Sequence, residues 1–176
     1  MSKQMREILF RGKRVDNGEW VEGYYVKHFA RQICPIGDTH KGEDIKHLIA
    51  FSGFADWNMP RSLKVVEVIP ETVGQYTGLT DKNGNKIFEG DITKLVLSDG
   101  EIRYFKVSIK SVTREVVCHP DFDDTTSKVN ITGVVFEWDG YELFPCINTN
   151  GVPDYKMMEV IGNIHDNPEL LEDENK

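Results

Sequence analysis

Short apolar runs with the period of β-strands recur along most of the chain. "EWVEGYYVKHF" (19–29), "IKHLIAF" (45–51) and "LKVVEVI" (63–69) are rich in β-branched and aromatic residues and bounded by Gly, Pro or Asn. "DITKLVL" (91–97), "IRYFKVSIKSV" (102–112), "REVVCH" (114–119), "VNITGVVFEW" (129–138) and "YKMMEVIGNI" (155–164) continue the series. Alternation is cleanest where Tyr104, Lys106, Ser108 and Lys110 interleave with Phe105, Val107 and Ile109, which predicts one wet face and one buried face. No three-turn helical pattern occurs in the first 165 residues.

Turn chemistry points the same way. Gly18, Gly84, Gly100 and Gly140 each close an Asn-Gly or Asp-Gly pair, where a positive φ is needed and glycine supplies it at no steric cost. Within "YTGLTDKNGNKIFEGDI" (76–92), Asp81–Gly84 predicts a tight turn, Ile87 and Phe88 predict burial, and Gly90 predicts a bend before the next strand. The stretch lacks the Lys-Ser or Lys-Thr of a phosphate-binding loop and the three-glycine spacing of a dinucleotide fingerprint, so the hairpin reading stands. At the end, "HDNPELLEDENK" places Asp166 or Asn167 at an N-cap, Pro168 at N1 and Glu169 in the first turn, predicting a short helix that docks Leu170 and Leu171 on the sheet. The expected fold is mainly β and built of antiparallel hairpins. An N-terminal β subdomain (1–70) precedes a small SH3-like barrel (71–176) that ends in the helix. The turn-rich connector "SGFADWNMPRS" (52–62), with Trp57 in it, lies just ahead of that divide.

Composition narrows the function classes. With 39% hydrophobic and 28% charged residues, the 176-residue chain can fold and bury a sizeable core. No apolar run approaches the roughly 18–20 residues of a membrane span, and the N-terminus lacks an apolar leader of about 7–15 residues. Three widely spaced cysteines argue against a disulfide framework, and the reading is a cytoplasmic protein. The formal charge of −8 repels phosphate backbones and disfavours non-specific nucleic-acid binding.

Candidate chemistry is sparse. Cys34, His40 and His47 match no common zinc spacing, and Cys118 and His119 point to opposite faces of a strand. "DFDDTT" (121–126) begins like a calcium loop, but Thr126 and Thr132 stand where Gly and Glu are required. No spacing fixes any two of Glu71, Asp81, Glu89, Asp91 and Glu137 for acid–base work. Metal, cofactor and catalytic residues are therefore expected to be absent. Basic residues interleave with aromatics in "RGKR" (11–14) and in "RYFKVSIK" (103–110). Arg103, Tyr104, Lys106 and Lys110 are the candidate contacts for a single nucleic-acid strand, although Arg103 has the opposite parity from the other three.

Three blocks, "REILFRGKRVDNGEWVEGYYV", "VIPETVGQYTGLTDKNGNKIFEGDI" and "EVIGNIHDNPELL", resemble the YopX family, whose members are carried by bacteriophages and prophages. The blocks cover roughly a third of the chain but span it end to end. The resemblance implies a β-rich fold with an SH3-like C-terminal half and the setting of a phage-encoded accessory protein inside a bacterial cell. It carries over no catalytic residue. The functional expectation is a non-enzymatic, self-associating interaction protein, because a β-rich chain has many edge strands to cover. A host or phage protein is the other candidate partner, and nucleic-acid binding through the C-terminal half is the alternative.

Overall fold

The structure, a computed structural model, describes residues 7–33, 36–39, 41–117 and 126–172. Eleven strands carry the described fold: β1 (Phe10–Lys13), β2 (Trp20–Phe29), β3 (Ile45–Ser52), β4 (Leu63–Glu67), β5 (Gly74–Thr80), β6 (Lys86–Phe88), β7 (Asp91–Val96), β8 (Ile102–Val117), β9 (Thr126–Trp138), β10 (Tyr141–Leu143) and β11 (Glu159–Asn163). The chain separates into two compact units, residues 1–78 and 79–176. The sequence reading divides it at 70/71. The difference is β5, whose first residues pair with β1, Gln75 opposite Phe10 and Gly74 opposite Arg11.

In the first unit the strands lie in the order β4-β3-β2-β1-β5. The Asp16–Gly18 turn, with Gly18 at φ 72°, sets the β1–β2 register so that Lys13 faces Trp20 and Arg11 faces Glu22. Beyond β4 the chain returns to β1: Ile69 N–H donates to Lys13 O at 2.8 Å, and Val15 N–H donates to Glu67 O at 3.0 Å. The Thr72 hydroxyl completes this corner, accepting from Lys13 N–H at 2.9 Å and donating to Ile69 O at 2.7 Å. Among the described residues of this unit, Leu9, Ile49, Ala50, Val68 and Tyr76 are the buried hydrophobic side chains.

In the second unit five strands run β10-β9-β8-β7-β11, all neighbours antiparallel. Asp139 at φ 45° and Gly140 at φ 74° make the β9–β10 turn, the two consecutive positive φ values that a tight hairpin matching strand twist requires. The apolar parity of β8 sends Phe105 and Val107 into a core with Ile87, Leu95, Phe136 and Met158, where the Phe105 and Phe136 rings meet edge to face at 6.4 Å. Ile87 and Phe88 are buried as the hairpin reading expects.

Three expectations are corrected. Among the described residues the second unit is an open sheet with β10 and β11 at its edges, not a closed SH3-like barrel: β11 pairs only with β7. The C-terminal helix is a single 3-10 turn, Pro168–Leu171, in which Leu170 N–H bonds Asn167 O at 3.2 Å and Glu172 N–H bonds Glu169 O at 3.1 Å. Four residues give too few i to i+4 bonds to offset nucleation of an α-helix, so the tighter turn forms. The run at 102–112 and the described part of the next, 114–117, form one strand, since Ser111–Thr132 and Thr113–Asn130 continue the β8–β9 ladder without a break. Among the described residues no helix is long and apolar enough to cross a membrane.

Candidate functional site

Parity on β8 decides which predicted residues meet. Tyr104, Lys106 and Lys110 lie on one face of the strand and line a concavity of about 260 Å³ together with Trp138, Tyr141 and Glu142. Arg103 does not join them. Its guanidinium lies 4.2 Å from the centre of the Trp138 ring, and its Nε donates to Glu101 Oε1 at 2.8 Å. The tight Asp139–Gly140 turn brings Tyr141 back onto Trp138, with ring centres 5.9 Å apart and planes 20° from parallel. Aromatic and charged side chains line the concavity together. Leu171, from the C-terminal 3-10 turn, closes one side.

The two lysines are engaged in an internal charge network. The register places Glu137 opposite Lys106 on β9 and Glu142 opposite Glu137 on β10. Lys110 Nζ lies 2.6 Å from Glu142 Oε1 and 3.3 Å from Glu137 Oε1, and Lys106 Nζ lies 4.0 Å from Glu137 Oε2. The Ser108 hydroxyl donates to Glu137 Oε1 from the same face. The Glu142 carboxylate holds the Lys110 ammonium above its ordinary pKa against the opposing effect of burial, with Glu137 adding to the rise. Burial pushes Glu137 up, but the Ser108 hydroxyl and the ammoniums of Lys106 and Lys110 outweigh it and hold the carboxyl below its usual value. Two cations thus face two anions, and the platform presents no surplus positive charge to a phosphate backbone.

The other basic stretch is also matched. Arg14 forms a two-point contact with Asp16, at 2.9 and 2.6 Å, and the Arg11 guanidinium sits 4.8 Å from the centre of the Trp20 ring. Of the candidate acids, Asp81 and Asp91 are buried and bind backbone N–H groups. Asp91 Oδ2 accepts from Phe88 N–H at 2.7 Å. The His47 Nδ1 and the Tyr25 hydroxyl lie 2.6 Å apart, while Cys34, His40, Cys118, His119 and Asp121 to Thr125 lie outside the described residues. No group of three His, Cys, Asp or Glu side chains placed to hold a metal ion occurs among the described residues.

A second surface, which the sequence reading did not single out, lies in the first unit. Register aligns Tyr24, Ala50 and Val65 in one row across β2, β3 and β4, and Val26, Leu48 and Glu67 in the next. Tyr24 is 63% exposed, Val26 44%, Leu63 70% and Val65 52%, so on this face β2 and β4 show apolar side chains to solvent on either side of β3, where Ala50 is buried and Leu48 half-buried. The loop joining β3 to β4, closed by Gly53 N–H to Ser62 O at 2.8 Å, adds Phe54 at 88% and Trp57 at 96% exposure. A signal for this face was present: "YYV", "HLIA" and "LKVVEV" lack the polar alternation of a strand that is wet on one side. Such runs read as strands buried on both faces, yet one of their faces is bare.

No curated protein matches the chain. The family described as YopX protein matches over residues 9–172, nearly the whole chain, and the protein belongs to the YopX family.

Proposed function

We propose that this protein is a phage- or prophage-encoded accessory protein of the bacterial cytoplasm that acts by binding rather than by catalysis, and that it self-associates. The observation that carries this reading is the bare apolar face of β2, β3 and β4. Contiguous apolar patches beyond a few hundred Å² are uncommon on monomeric soluble proteins and mark interaction sites. Sedimentation velocity of the full chain across the micromolar range tests it. We expect a concentration-dependent shift from monomer to a heavier species, and a monomer at every concentration would defeat the reading.

Nucleic-acid binding through Tyr104, Lys106 and Lys110 ranks below it, because Glu137 and Glu142 already occupy both lysines. Titration of a labelled single strand in low salt is expected to give no binding above that of an acidic control protein. Binding that weakens with added salt and with Lys110→Ala would restore the nucleic-acid reading.

A further inference from the structure

We infer that the β2–β3–β4 face is the seat of a second copy of this chain, packed sheet against sheet about a two-fold axis. This names the surface for the self-association proposed above and rests on that reading. A two-fold interface uses one patch twice, so the patch must complement itself in shape and in charge. The face meets both requirements. Its rows are apolar in the middle, and its charged rim holds one ion pair, Lys46 Nζ to Glu67 Oε2 at 2.8 Å, with both side chains nearly half exposed. Opposite charges side by side at a rim can exchange partners with the same pair on a facing copy.

Charge also separates the copy from other occupants. The chain carries −8 overall, whereas this face carries Lys46 and Glu67 beside His28, and Glu22 at its β1 edge opposite Arg11. A strongly charged partner finds no complementary field here. An anionic lipid surface is repelled by the net charge, and the aromatic loop is flanked by Asp56 as well as Arg61 rather than by a basic cluster.

The area suffices. With about 150–250 Å² for a fully exposed aromatic side chain and somewhat less for an aliphatic one, the exposed fractions of the four face residues sum to roughly 400 Å², and Phe54, Trp57 and Met59 of the adjoining β3–β4 loop bring the apolar total to roughly 1,000 Å². A standard interface buries about 800 Å² per partner. Stacked sheets sit about 10 Å apart, the spacing at which Tyr24, Leu63 and Val65 from the two copies would interdigitate.

The test is sedimentation of the full chain carrying Val65→Glu or Tyr24→Glu, with Ile147→Glu, an exposed position in the second unit, as control. A two-fold species is expected for the wild type and the control, and a dissociation constant raised tenfold or more for each face variant. Circular dichroism of each variant confirms its fold. If Val65→Glu fails to fold, Leu63→Lys, at the most exposed position of the face, replaces it. Added salt is expected to strengthen the association by screening the net charge, the reverse of a charge-driven complex. An oligomer that tolerates both face variants would overturn the surface and leave self-association standing. A wild type that is monomeric at all concentrations would remove both, as would a monomer that binds lipid vesicles in a Val65-dependent way.

Discussion

Replacing Asp81 by alanine should lower the unfolding free energy by about 3–5 kcal/mol, read as a fall in denaturation midpoint with little change in slope. The carboxylate is 1% exposed and organises the turn between β5 and β6. Oδ1 accepts Asn83 N–H and Asn85 N–H, each at 2.8 Å, and Oδ2 accepts the Asn85 side-chain amide and Val160 N–H, each at 3.1 Å. The last bond reaches β11, so one side chain ties the local turn to a strand that follows it by 79 positions. Hydrogen bonds to an ionised acceptor contribute about 1.5–3 kcal/mol each, and the alanine variant leaves several donors without their acceptor. Asp81→Asn keeps the volume but points amide hydrogens at N–H donors, and it is expected to recover less than half of the loss. A loss below about 1 kcal/mol for Asp81→Ala would show that water replaces the carboxylate at no great cost.

The same network fixes a pH dependence. Burial pushes the Asp81 pKa up, but the N–H groups of Val160, Asn85 and Asn83 together with the Asn85 amide outweigh it, so the folded value lies below the ordinary 3.8. The unfolded chain therefore binds the proton more readily than the folded one. The stabilisation from Asp81 is full above the unfolded value and is lost as pH falls through the lower folded value. The stability difference between wild type and Asp81→Asn should be constant from neutrality to about pH 5 and shrink in the acid range below the ordinary aspartate pKa. A gap that widens on acidification would contradict the depressed folded value.

Much of the strand pattern was legible because it rests on local rules. Gly18, Gly84, Gly100 and Gly140 all adopt positive φ, as their Asn-Gly and Asp-Gly contexts require, and the parity of β8 separates Phe105 and Val107 from Tyr104, Lys106 and Lys110. The short strands β1 and β10 escaped, and β5 and β6 were read only as the arms of the hairpin around Asp81–Gly84, without bounds. Three or four residues cannot display a period, and β5 begins at Gly74 and carries Gly78, residues that weaken a strand signal. The partners of the two lysines were out of reach for another reason. Glu137 becomes the neighbour of Lys106 only through the β8–β9 register, and alternation along one strand leaves its partner's register open. The bare face of β2–β3–β4 has a similar origin: a run apolar on both parities is written the same way whether its second face meets a core or another molecule.

Gly23→Ala is the second large effect, about 3 kcal/mol of lost stability in the first unit, at the upper end of overpacking costs. Gly23 lies in β2 opposite Phe10 on β1, beside Ala50 on β3, and it is buried. A Cβ there would fall well inside contact distance of the Ala50 carbonyl oxygen and 2.9 Å from Ile49 Cγ2. Trimming Ile49 can relieve the second contact but not the first, since the carbonyl belongs to the paired backbone. Ile49→Ala, which removes Cγ2 where Ile49→Val would keep it, should therefore show little favourable coupling to Gly23→Ala in a double-mutant cycle. Gly18 offers the contrast: it sits at φ 72° with nothing within 4 Å of a built Cβ, so Gly18→Ala costs only the left-handed backbone, about 1 kcal/mol. Both glycines look alike in the sequence, each in a turn-rich or aromatic setting. One is required by conformation and the other by the distance between neighbouring strands. Equal losses for the two substitutions, or a coupling with Ile49→Ala large enough to cancel the Gly23→Ala loss, would show that the approach of β3 to β2 at Ala50 is looser than these contacts require.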